Sequence, residues 1–349
     1  MKTDIDILII NNVPSFYKIN LYNELSKVCK LHVVFIALTN QVVNNASLYE
    51  DIQFSYEVLS YIQIEKRSRF VSSLKLLSII KKYNCAKIIY GGYNDIEQIL
   101  GFFTTKKSKN CIQFESSILE SKVVGFTGFI KRVFFNRFSV ALTSGFLQSQ
   151  VFKSLDFTGV ILETKGVGIF NKSNPRNKPK IINPNGEFRY LYVGRLIAIK
   201  NLEFLIRIFN RNEKQLTIVG TGELNEKLKT LAKSNIAFAG FIENKDLALV
   251  YNSHDVFILP SISEPWGLVV EEALYFGLPV LVSDAVGCKD NMVSLHNTGL
   301  VFNPLNEKSL DDVIDLMEKD FDKFYKRVFD LDFDDRDREQ IQSYLKILE

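Results

Sequence analysis

The sequence predicts an α/β protein with two doubly wound domains, in which helices cover both faces of a parallel sheet. Short runs rich in Val and Ile alternate with segments of helical period along both halves of the chain, and such runs are typical of strands buried on both faces. The length of 349 residues corresponds to two ordinary domains. Between the halves, residues 171–187 read NKSNPRNKPKIINPNGE, which is typical of an exposed linker.

The first domain, residues 1–170, is predicted to contain strands separated by helices. The strands are expected at Ile5–Ile10, Leu31–Ala37, Lys87–Tyr90, Cys111–Phe114, Val140–Thr143 and Val160–Leu162. Helices are expected between most of them, for example at Phe16–Val28 and Phe70–Lys82. The stretch Ile52–Ile64 predicts a further strand or a hairpin.

The second domain, residues 188–320, repeats this alternation, and residues 321–349 form a tail that is expected to be partly helical. The strands of this domain are expected at Phe188–Val193, Leu216–Val219, Ala237–Ala239, Val256–Leu259 and Val280–Val282. Ligands of open α/β sheets bind outside the carboxyl ends of the strands. We therefore expect the two domains to face a cleft that holds the site.

Composition excludes several classes of protein. Apolar runs such as LHVVFIAL, which begins at Leu31, are shorter than the ~20 residues that span a bilayer. The opening MKTDIDILII carries acids where a signal peptide would carry bases, so it predicts a buried strand. The cysteines have no CxxC spacing, which predicts reduced thiols in a cytosolic protein. They are Cys29, Cys85, Cys111 and Cys288.

Charge is distributed unevenly between the two halves. Residues 1–185 hold 24 Lys and Arg against 13 Asp and Glu, whereas residues 186–349 hold 19 against 27. The basic half favours an anionic partner or an anionic lipid surface on the inner face of the cell membrane. No aromatic and basic nucleic-acid motif accompanies it, so no nucleic acid is expected as a partner.

One stretch of the basic half could form an apolar helical face. Its members would be Phe126, Phe129, Ile130, Val133 and Phe134, with Lys131 and Arg132 pointing elsewhere. A basic amphipathic surface of this kind can rest on anionic lipid. Packing of the phenylalanines on the sheet is the alternative interpretation.

The stretch SEPWGLVVEEALYFGLPVLVSD places two glutamates around a predicted helix start. Glu264 lies just before the Pro-Trp-Gly turn, and Glu272 lies about five residues into the helix, roughly 7 Å along its axis. A helix start suits a phosphate, and carboxylates accept hydrogen bonds from sugar hydroxyls. A nucleotide sugar has hydroxyls on both sides of its diphosphate, so one carboxylate could serve each side. The alternative, a loop acid and a solvated helix residue, is disfavoured by the strand and turns around them.

Two further motifs lie at predicted strand ends. In LYVGRLIAIKN, Arg195 and Lys200 follow a strand and could neutralise a diphosphate. In LTIVGTGEL, the turn Gly220-x-Gly222 could border a nucleotide or could simply allow close helix packing.

Together these motifs resemble the retaining glycosyltransferases of family 4, which have the GT-B fold. The resemblance rests on VGRLIAIKN, LTIVGTGEL, FAGFIENKDLALVY and SHDVFILPSISEPWGLVVEEALYFGLPVLVSDAVGCKD, over about residues 188–290. It implies that Arg195 and Lys200 bind the donor diphosphate. Glu264 would contact the transferred sugar and Glu272 the ribose. These implied roles make Glu264, Arg195 and Lys200 catalytic candidates, and Glu115 of the first half is the fourth.

The resemblance also assigns residues around the donor. The backbone of Trp266, Gly267 and Leu268 would lie near the transferred sugar, and Ile242 would lie against the base. Gly222 completes the predicted donor contacts. The tail, residues 321–349, would cross back to the first domain, as it does in this fold.

The first half resembles polysaccharide-building members more loosely. NNVPSFYKINLYNELSK is similar to their first loop and helix, and KIIYGGYND to a loop that lines the cleft. Pro14, Tyr17, Gly92 and Tyr93 are the acceptor-side candidates from these stretches. Many members carry a His near the reaction centre, and here Glu115 in FESS is the candidate for that place, with a capping or ion-paired acid as the alternative. GVGIF has Gly168 where an Asp is usual.

The resemblance implies a retaining hexosyl transfer in which the departing phosphate takes the acceptor proton. No cofactor and no metal are expected, because side-chain cations would hold the diphosphate and the Asp-x-Asp pairs fall at the N-terminus or in the acidic tail. We favour a UDP-sugar over a GDP-sugar, and a glycan or lipid-diphosphate-linked acceptor in bacterial capsule, O-antigen or lipopolysaccharide synthesis. The protein would be cytoplasmic, and a peripheral location on the inner face of the cell membrane is the further expectation.

Other functions fit parts of the pattern. A glycosidase would also use paired carboxylates, but the pair Arg195 and Lys200 fits stabilisation of a departing diphosphate better. A non-catalytic nucleotide-sugar-binding subunit and a GT-B epimerase or phosphorylase stay open as alternatives.

Overall fold

The structure is a computed structural model that describes residues 3–39, 49–172, 187–244 and 246–349. These residues form two compact units. Unit 1 comprises Met1–Phe170 and Asp334–Glu349, and unit 2 comprises Asn171–Phe333. Of the predicted linker, residues 173–186 lie outside the described residues.

Unit 1 contains a parallel sheet. Its strands are β1 (Thr3–Asn11), β2 (Leu31–Thr39), β3 (Ser55–Gln63), β4 (Tyr83–Tyr90), β5 (Asn110–Phe114), β6 (Val140–Thr143) and β7 (Val160–Glu163). The helices between them are α1 (Phe16–Ser26), α2 (Arg69–Lys82), α3 (Ile96–Thr104), α4 (Gly125–Phe135) and α5 (Phe146–Ser154). The strand order is β3-β2-β1-β4-β5-β6-β7. The order reverses between β1 and β4, so their carboxyl ends form the crevice where doubly wound sheets bind ligands.

The core of unit 1 lies on both faces of its sheet. On one face, α2, α3, α4 and α5 pack through residues such as Leu76, Phe102, Phe135 and Phe152. On the other face, α1 packs through residues that include Ile19 and Tyr22. Strands covered on both faces need apolar side chains in both directions, which explains their continuous Val and Ile runs.

Unit 2 repeats the design with a second parallel sheet. Its strands are β8 (Arg189–Val193), β9 (Gln215–Val219), β10 (Ile236–Gly240), β11 (Val256–Leu259), β12 (Val280–Ser283) and β13 (Gly299–Phe302). Its helices are α6 (Leu202–Asn212), α7 (Asn225–Leu231), α8 (Leu247–Asn252), α9 (Leu268–Tyr275), α10 (Glu307–Lys319) and α11 (Phe321–Phe329). The order β10-β9-β8-β11-β12-β13 reverses between β8 and β11, which places a second crevice there.

The last helix, α12 (Phe333–Leu345), belongs to unit 1 from Asp334 onward. Tyr344 is buried in the same core as Tyr22, and the Ser343 hydroxyl donates a hydrogen bond to the Glu163 carbonyl oxygen at 3.2 Å. The predicted tail, residues 321–349, is therefore divided: α11 belongs to unit 2, and only the part from Asp334 onward belongs to unit 1, so the chain returns later than the predicted boundary at residue 321.

The predicted fold class is confirmed: both units are parallel α/β sheets. Ile52–Ile64 contributes one strand, β3, parallel to β2, so the hairpin alternative is wrong. Strand β13, with the sequence GLVF, was not predicted. Among the described helices, none combines the length and apolar character needed to cross a bilayer.

Candidate functional site

The loops that follow β8, β9 and β10 in unit 2 are joined through their backbones. The Leu196 N–H donates to the Thr221 carbonyl oxygen at 2.9 Å, and the Gly220 N–H donates to Gly240 at 2.7 Å. A side chain at Gly222 would collide with the Leu196 backbone. The predicted Gly-x-Gly turn therefore exists because two loops approach closely at the carboxyl edge of the sheet.

The two predicted cations follow β8 on this edge. Arg195 is exposed. Lys200 ends a short 3₁₀ turn, Ala198–Lys200, and its Nζ forms an ion pair with the Glu264 carboxylate. The sequence-predicted Lys200 and Glu264 are thus brought together across the reversal between β8 and β11. Their side chains keep only 12% and 15% of their surface exposed, so the pair is held in a defined place.

The Pro-Trp-Gly turn is braced by the loop that follows β12. The Gly287 N–H donates to the Glu264 carbonyl oxygen and the Cys288 N–H to the Trp266 carbonyl oxygen, both at 2.9 Å. Gly267 has φ +102°, a left-handed value that favours glycine. The buried Trp266 indole N–H donates to the Glu271 carboxylate. The indole thus anchors the turn, and the backbone from Trp266 to Leu268 forms the start of α9.

Glu272 is buried inside α9, where its carboxylate accepts a hydrogen bond from the Tyr251 hydroxyl at 3.1 Å. Burial raises the pKa of Glu272 to about 7; the Tyr251 hydrogen bond lowers it and the nearby Glu271 raises it. Glu272 can therefore change its charge near neutral pH. Tyr251 was not predicted, although it ends the quoted stretch FAGFIENKDLALVY.

The donor-side candidates share one edge of unit 2. Arg195 and Lys200 follow β8, Gly222 follows β9, Ile242 follows β10 and Glu264 follows β11. Because all strands of this sheet are parallel, their carboxyl ends lie at the same edge. Next to Glu264, α9 begins at Leu268 and carries Glu272 in its interior.

Unit 1 has a cavity of about 330 Å³ at the reversal between β1 and β4. The acceptor-side candidates Tyr17, Gly92 and Tyr93 line it together with the catalytic candidate Glu115. Pro14 does not line it, although both neighbours, Val13 and Ser15, do. The structure thus assembles most of this group from loops that lie far apart in the sequence.

The partner of Glu115 was not predicted from the sequence. Lys18, in the first turn of α1, is buried, and its Nζ forms an ion pair with the Glu115 carboxylate. Burial lowers the pKa of Lys18, and the charge and hydrogen bond of Glu115 oppose that change. Glu115 therefore has an ion-pair partner while it faces the cavity. A lysine directly after a strand-end loop was the available signal, but its burial was not visible in the sequence.

Within the described ranges, no group of three or more His, Cys, Asp or Glu side chains is placed to hold a metal ion.

Residues 173–328 match the family model described as glycosyl transferases group 1. An uncharacterized glycosyltransferase of Methanocaldococcus jannaschii is 34% identical over 129 residues, which are 34% of this chain and 33% of that protein. A GDP-mannose-dependent alpha-mannosyltransferase of Mycolicibacterium smegmatis is 36% identical over 121 residues, 35% of this chain and 32% of that protein. An O-antigen biosynthesis glycosyltransferase of Escherichia coli is 32% identical over 151 residues, 42% of this chain and 41% of that protein. The chain thus spans about a third to two fifths of the length of these curated relatives.

Solved structures match over nearly the whole chain. The apo form of a lipopolysaccharide outer core galactosyltransferase has a TM-score of 0.72 at 16% identity and covers 98% of this chain and 99% of its own. An Anabaena protein in complex with UDP and glucose has a TM-score of 0.67 at 16% identity, with 93% and 92% covered. At this identity the likeness establishes the fold. The chain is therefore a two-domain protein of the GT-B fold that is similar to the glycosyltransferases of family 4.

Proposed function

We propose that the protein is a glycosyltransferase that moves a sugar from a nucleotide-sugar donor to a saccharide acceptor. The observation that carries this proposal is the Lys200–Glu264 ion pair at the reversal between β8 and β11. It lies beside the start of α9, inside the region that matches the group 1 glycosyl transferases. A cation and a carboxylate side by side suit a ligand that has a phosphate next to sugar hydroxyls.

In this proposal the cations of unit 2 stabilise the leaving group. Arg195 and Lys200 bind the diphosphate, whose negative charge grows as the glycosidic bond breaks. Gly267 offers no side chain to cap α9, so the first N–H groups of that helix are available to a phosphate. Glu264 accepts hydrogen bonds from the transferred sugar, and Glu272 from the ribose.

The finer features of the reaction belong to the same proposal. Transfer proceeds with retention, and the departing phosphate accepts the proton of the attacking hydroxyl. Neither a metal nor another cofactor takes part, since Arg195 and Lys200 supply the positive charge. We favour a UDP-sugar, the nucleotide named for the Anabaena neighbour, over the GDP-sugar named for the mycobacterial relative.

The acceptor is proposed to be a saccharide of a bacterial surface polysaccharide, carried on a lipid diphosphate. The names of the O-antigen relative and of the lipopolysaccharide galactosyltransferase support this class. The loops that follow β1, β4 and β5 in unit 1 would hold the acceptor, with Tyr17, Gly92, Tyr93 and Glu115 at the cavity wall.

A panel of UDP-, GDP- and ADP-sugars tests the donor assignment. We expect a UDP-sugar to raise the melting temperature most, and Lys200→Ala to abolish that rise. Lys227→Ala is the matched control, because Lys227 forms an exposed ion pair with Glu203 on the surface of unit 2. Equal responses of the wild type to all three nucleotides, or none, would contradict the donor assignment.

Product analysis separates the proposal from its rivals. With donor alone, a transferase gives slow hydrolysis, whereas an epimerase gives an epimerised sugar. A non-catalytic subunit binds the donor and releases no nucleoside diphosphate with any saccharide. Chromatography of the nucleotide and the sugar after incubation distinguishes these three outcomes.

We also propose that the protein is cytoplasmic and that unit 1 binds to the anionic inner face of the cell membrane. Helices α2, α3 and α4 cover the same face of the sheet, and their outer sides carry exposed apolar residues. Phe70 is 73%, Phe126 78% and Phe129 59% exposed. Phe134, by contrast, packs against Phe102, so the sheet-packing alternative applies only to part of α4.

The charge of this face supports an anionic surface as its partner. Residues 65–138, which include α2, α3 and α4, hold 14 Lys and Arg against 5 Asp and Glu. Arg69, Lys75, Lys106, Lys107 and Lys122 are exposed around the apolar residues. Each base near an anionic surface adds about 1 kcal/mol, and inserted aromatic rings add the hydrophobic contribution.

Liposome flotation tests the membrane proposal. We expect binding to vesicles that contain anionic lipid, weakened by salt, by Phe126→Ser with Phe129→Ser, and by Lys106→Glu with Lys107→Glu. Leu295→Ser with Leu305→Ser is the control, because both leucines are exposed on unit 2. Equal binding to neutral vesicles, or self-association through the phenylalanines without any lipid binding, would contradict it.

A further inference from the structure

The cavity of unit 1 has a size and a position that suit a small ligand. Its volume of about 330 Å³ lies within the range of ligand pockets. Its lining residues come from three stretches, within residues 11–18, 91–95 and 113–116. These stretches lie at the carboxyl ends of β1, β4 and β5, so the cavity lies where the strand order reverses and where doubly wound sheets bind ligands.

The cavity wall is rich in groups that both donate and accept hydrogen bonds. Its amides and hydroxyls come from Asn11, Asn12, Asn94, Gln113, Ser15, Tyr17, Tyr93 and Ser116. Sugar hydroxyls also donate and accept, so such a wall can satisfy them in pairs. Tyr93, stacked on Phe114 with ring centroids 6.1 Å apart, adds an aromatic surface of the kind that packs against apolar ring atoms.

The ionic groups of the wall are already paired. Among the described residues that line the cavity, Lys18 is the only Lys or Arg, and it is bound to Glu115. Asp95 is bound by Arg67 at 2.6 Å, and the same guanidinium binds the buried Glu97 at 2.8 Å. A phosphate or carboxylate that entered the cavity would have to compete with Glu115 for Lys18, and it would lose its hydration without a new cation.

The two members of the Lys18–Glu115 pair are unequally buried. Lys18 keeps 5% of its side chain exposed, and Glu115 keeps 34%. Both side chains line the cavity, and Glu115 presents more of its surface there than Lys18 does. Behind the same wall, the Asn11 amide donates to the Tyr22 hydroxyl at 3.1 Å, and that hydroxyl donates to the Gln113 side-chain oxygen at 3.4 Å. These contacts tie the ends of β1 and β5 to α1 around the pair.

From these contacts we infer that the cavity binds an uncharged, hydroxyl-rich sugar ring, and that Lys18 is a positioning residue that holds the Glu115 carboxylate towards a hydroxyl of that ring. Identifying the ring as the acceptor end rests on the proposed function. Neutral sugar rings would thus bind in the cavity, whereas sugar rings that carry a phosphate or a carboxylate would be excluded from it. Any lipid diphosphate of the acceptor therefore lies outside this cavity.

Sugar pairs that differ by one anionic group test the ligand class. The probes are glucose with glucose 6-phosphate and galactose with galacturonic acid, each titrated into the full chain and followed by ligand-observed NMR. We expect at least one neutral member to bind roughly tenfold more tightly than its charged counterpart. A charged member that binds as tightly as its neutral counterpart, or no binding of either neutral sugar, would overturn the inference.

Two variants test the role of the ion pair through opposite shifts. Glu115→Gln removes the carboxylate and releases Lys18, so neutral binding weakens by roughly tenfold and the preference for the neutral sugar narrows. Lys18→Met leaves the Glu115 carboxylate unpaired, so the charged sugar is repelled more strongly and the preference widens. If the pair had a purely structural role, each variant would change the affinities for the neutral and the charged sugar together. If both variants changed the preference for the neutral sugar in the same direction, the assignment of Lys18 as a positioning residue would be overturned.

The control and the donor assay keep the two proposals separate. Glu24→Gln removes an acid from the same helix, where Glu24 pairs with Lys27 at 2.6 Å on the surface, and we expect no change in either affinity. Release of UDP from UDP-sugars, measured on the same preparations, tests the proposed function. A sugar preference without UDP release would leave the cavity inference standing and the proposed function rejected.

Discussion

The carboxyl edges of the two sheets show two ways to build a binding surface on one fold. In unit 2 the loops are joined by backbone hydrogen bonds, Leu196 to Thr221 and Gly220 to Gly240, and the exposed Arg195 adds a cation to the Lys200–Glu264 pair. In unit 1 the loops are joined by side chains, and the buried Lys18 is paired with Glu115. The second cation makes the unit 2 edge suited to an anion, whereas the described lining of the unit 1 cavity has no Lys or Arg besides Lys18. The contrast indicates that similar topology can serve opposite ligand chemistries through the loops alone.

The largest effect on rate and on nucleotide affinity is expected from substitution of Lys200, which we propose to bind the anionic diphosphate in unit 2. Lys200→Met removes the cation that we assign to the diphosphate, and it leaves Glu264 unpaired in a largely buried place. Loss of charge stabilisation of a leaving group costs about 10²–10³ in kcat. Initial-rate assays would check this, and nucleoside diphosphate affinity by calorimetry should fall as well. Unchanged affinity and rate would contradict the donor assignment.

The second effect concerns the pH dependence of donor binding through Glu272. Because its pKa is raised to about 7, Glu272 is mostly protonated at pH 6 and mostly ionised at pH 8. The hydroxyls of a ribose donate hydrogen bonds, so the ribose binds the ionised carboxylate better. We therefore expect roughly tenfold weaker nucleotide binding at pH 6 than at pH 8, with proton release on binding near pH 7. Calorimetry in buffers of different ionisation enthalpy measures that release. Glu272→Gln should remove this proton release. Nucleotide binding by the wild type without any proton release would contradict the assignment of Glu272 to the ribose.

The same carboxyl should affect stability with the opposite dependence on pH. The folded-state pKa of Glu272 is raised above its ordinary value of 4.5, so the folded protein holds the proton more tightly than the unfolded chain. The proton on Glu272 therefore contributes to the free energy of unfolding an amount on the order of 3 kcal/mol. This contribution is fully present below pH 4.5 and is lost as the pH rises to about 7. Denaturant unfolding across this window should show a slope that Glu272→Gln reduces. An unchanged slope in the variant would argue that Glu272 is already ionised.

Glycine substitutions compare the two edges directly. At Gly222 an added Cβ would collide with the Leu196 backbone, whereas at Gly92 the nearest atom would be the Gln98 Nε2 at 3.5 Å. Gly222→Ala should therefore lower the free energy of unfolding by about 1–3 kcal/mol, and Gly92→Ala should change it by about 0.5 kcal/mol or less. Equal losses would show that the two edges are equally tight.

The smallest effect is expected from metal removal. Transfer should continue at the same rate after treatment with EDTA, because Arg195 and Lys200 are proposed to supply the positive charge at the diphosphate. Activity that disappears with the chelator and returns with Mg²⁺ or Mn²⁺ would require a metal-assisted donor site.

The sequence alone determined the fold class and the main features of the unit 2 edge. Runs of Val and Ile are local patterns that can be recognised from residues adjacent in the chain. Most strands were therefore predicted within a few positions. Glycine turns and the residues that follow strands are also local features. Arg195, Lys200 and Glu264 could therefore be placed at strand ends, and hence at one edge, before any contact was known.

Only the tertiary structure decided which residues meet. Lys18 and Glu115 are 97 positions apart in the sequence, and no local pattern links an α1 lysine to an acid after β5. The same holds for Tyr251 with Glu272, whose pKa depends on burial. It holds also for α12, which completes a core begun more than 300 residues earlier. Local chemistry is encoded by neighbours in the chain, whereas pairing, burial and charge state arise only when the chain brings distant residues together.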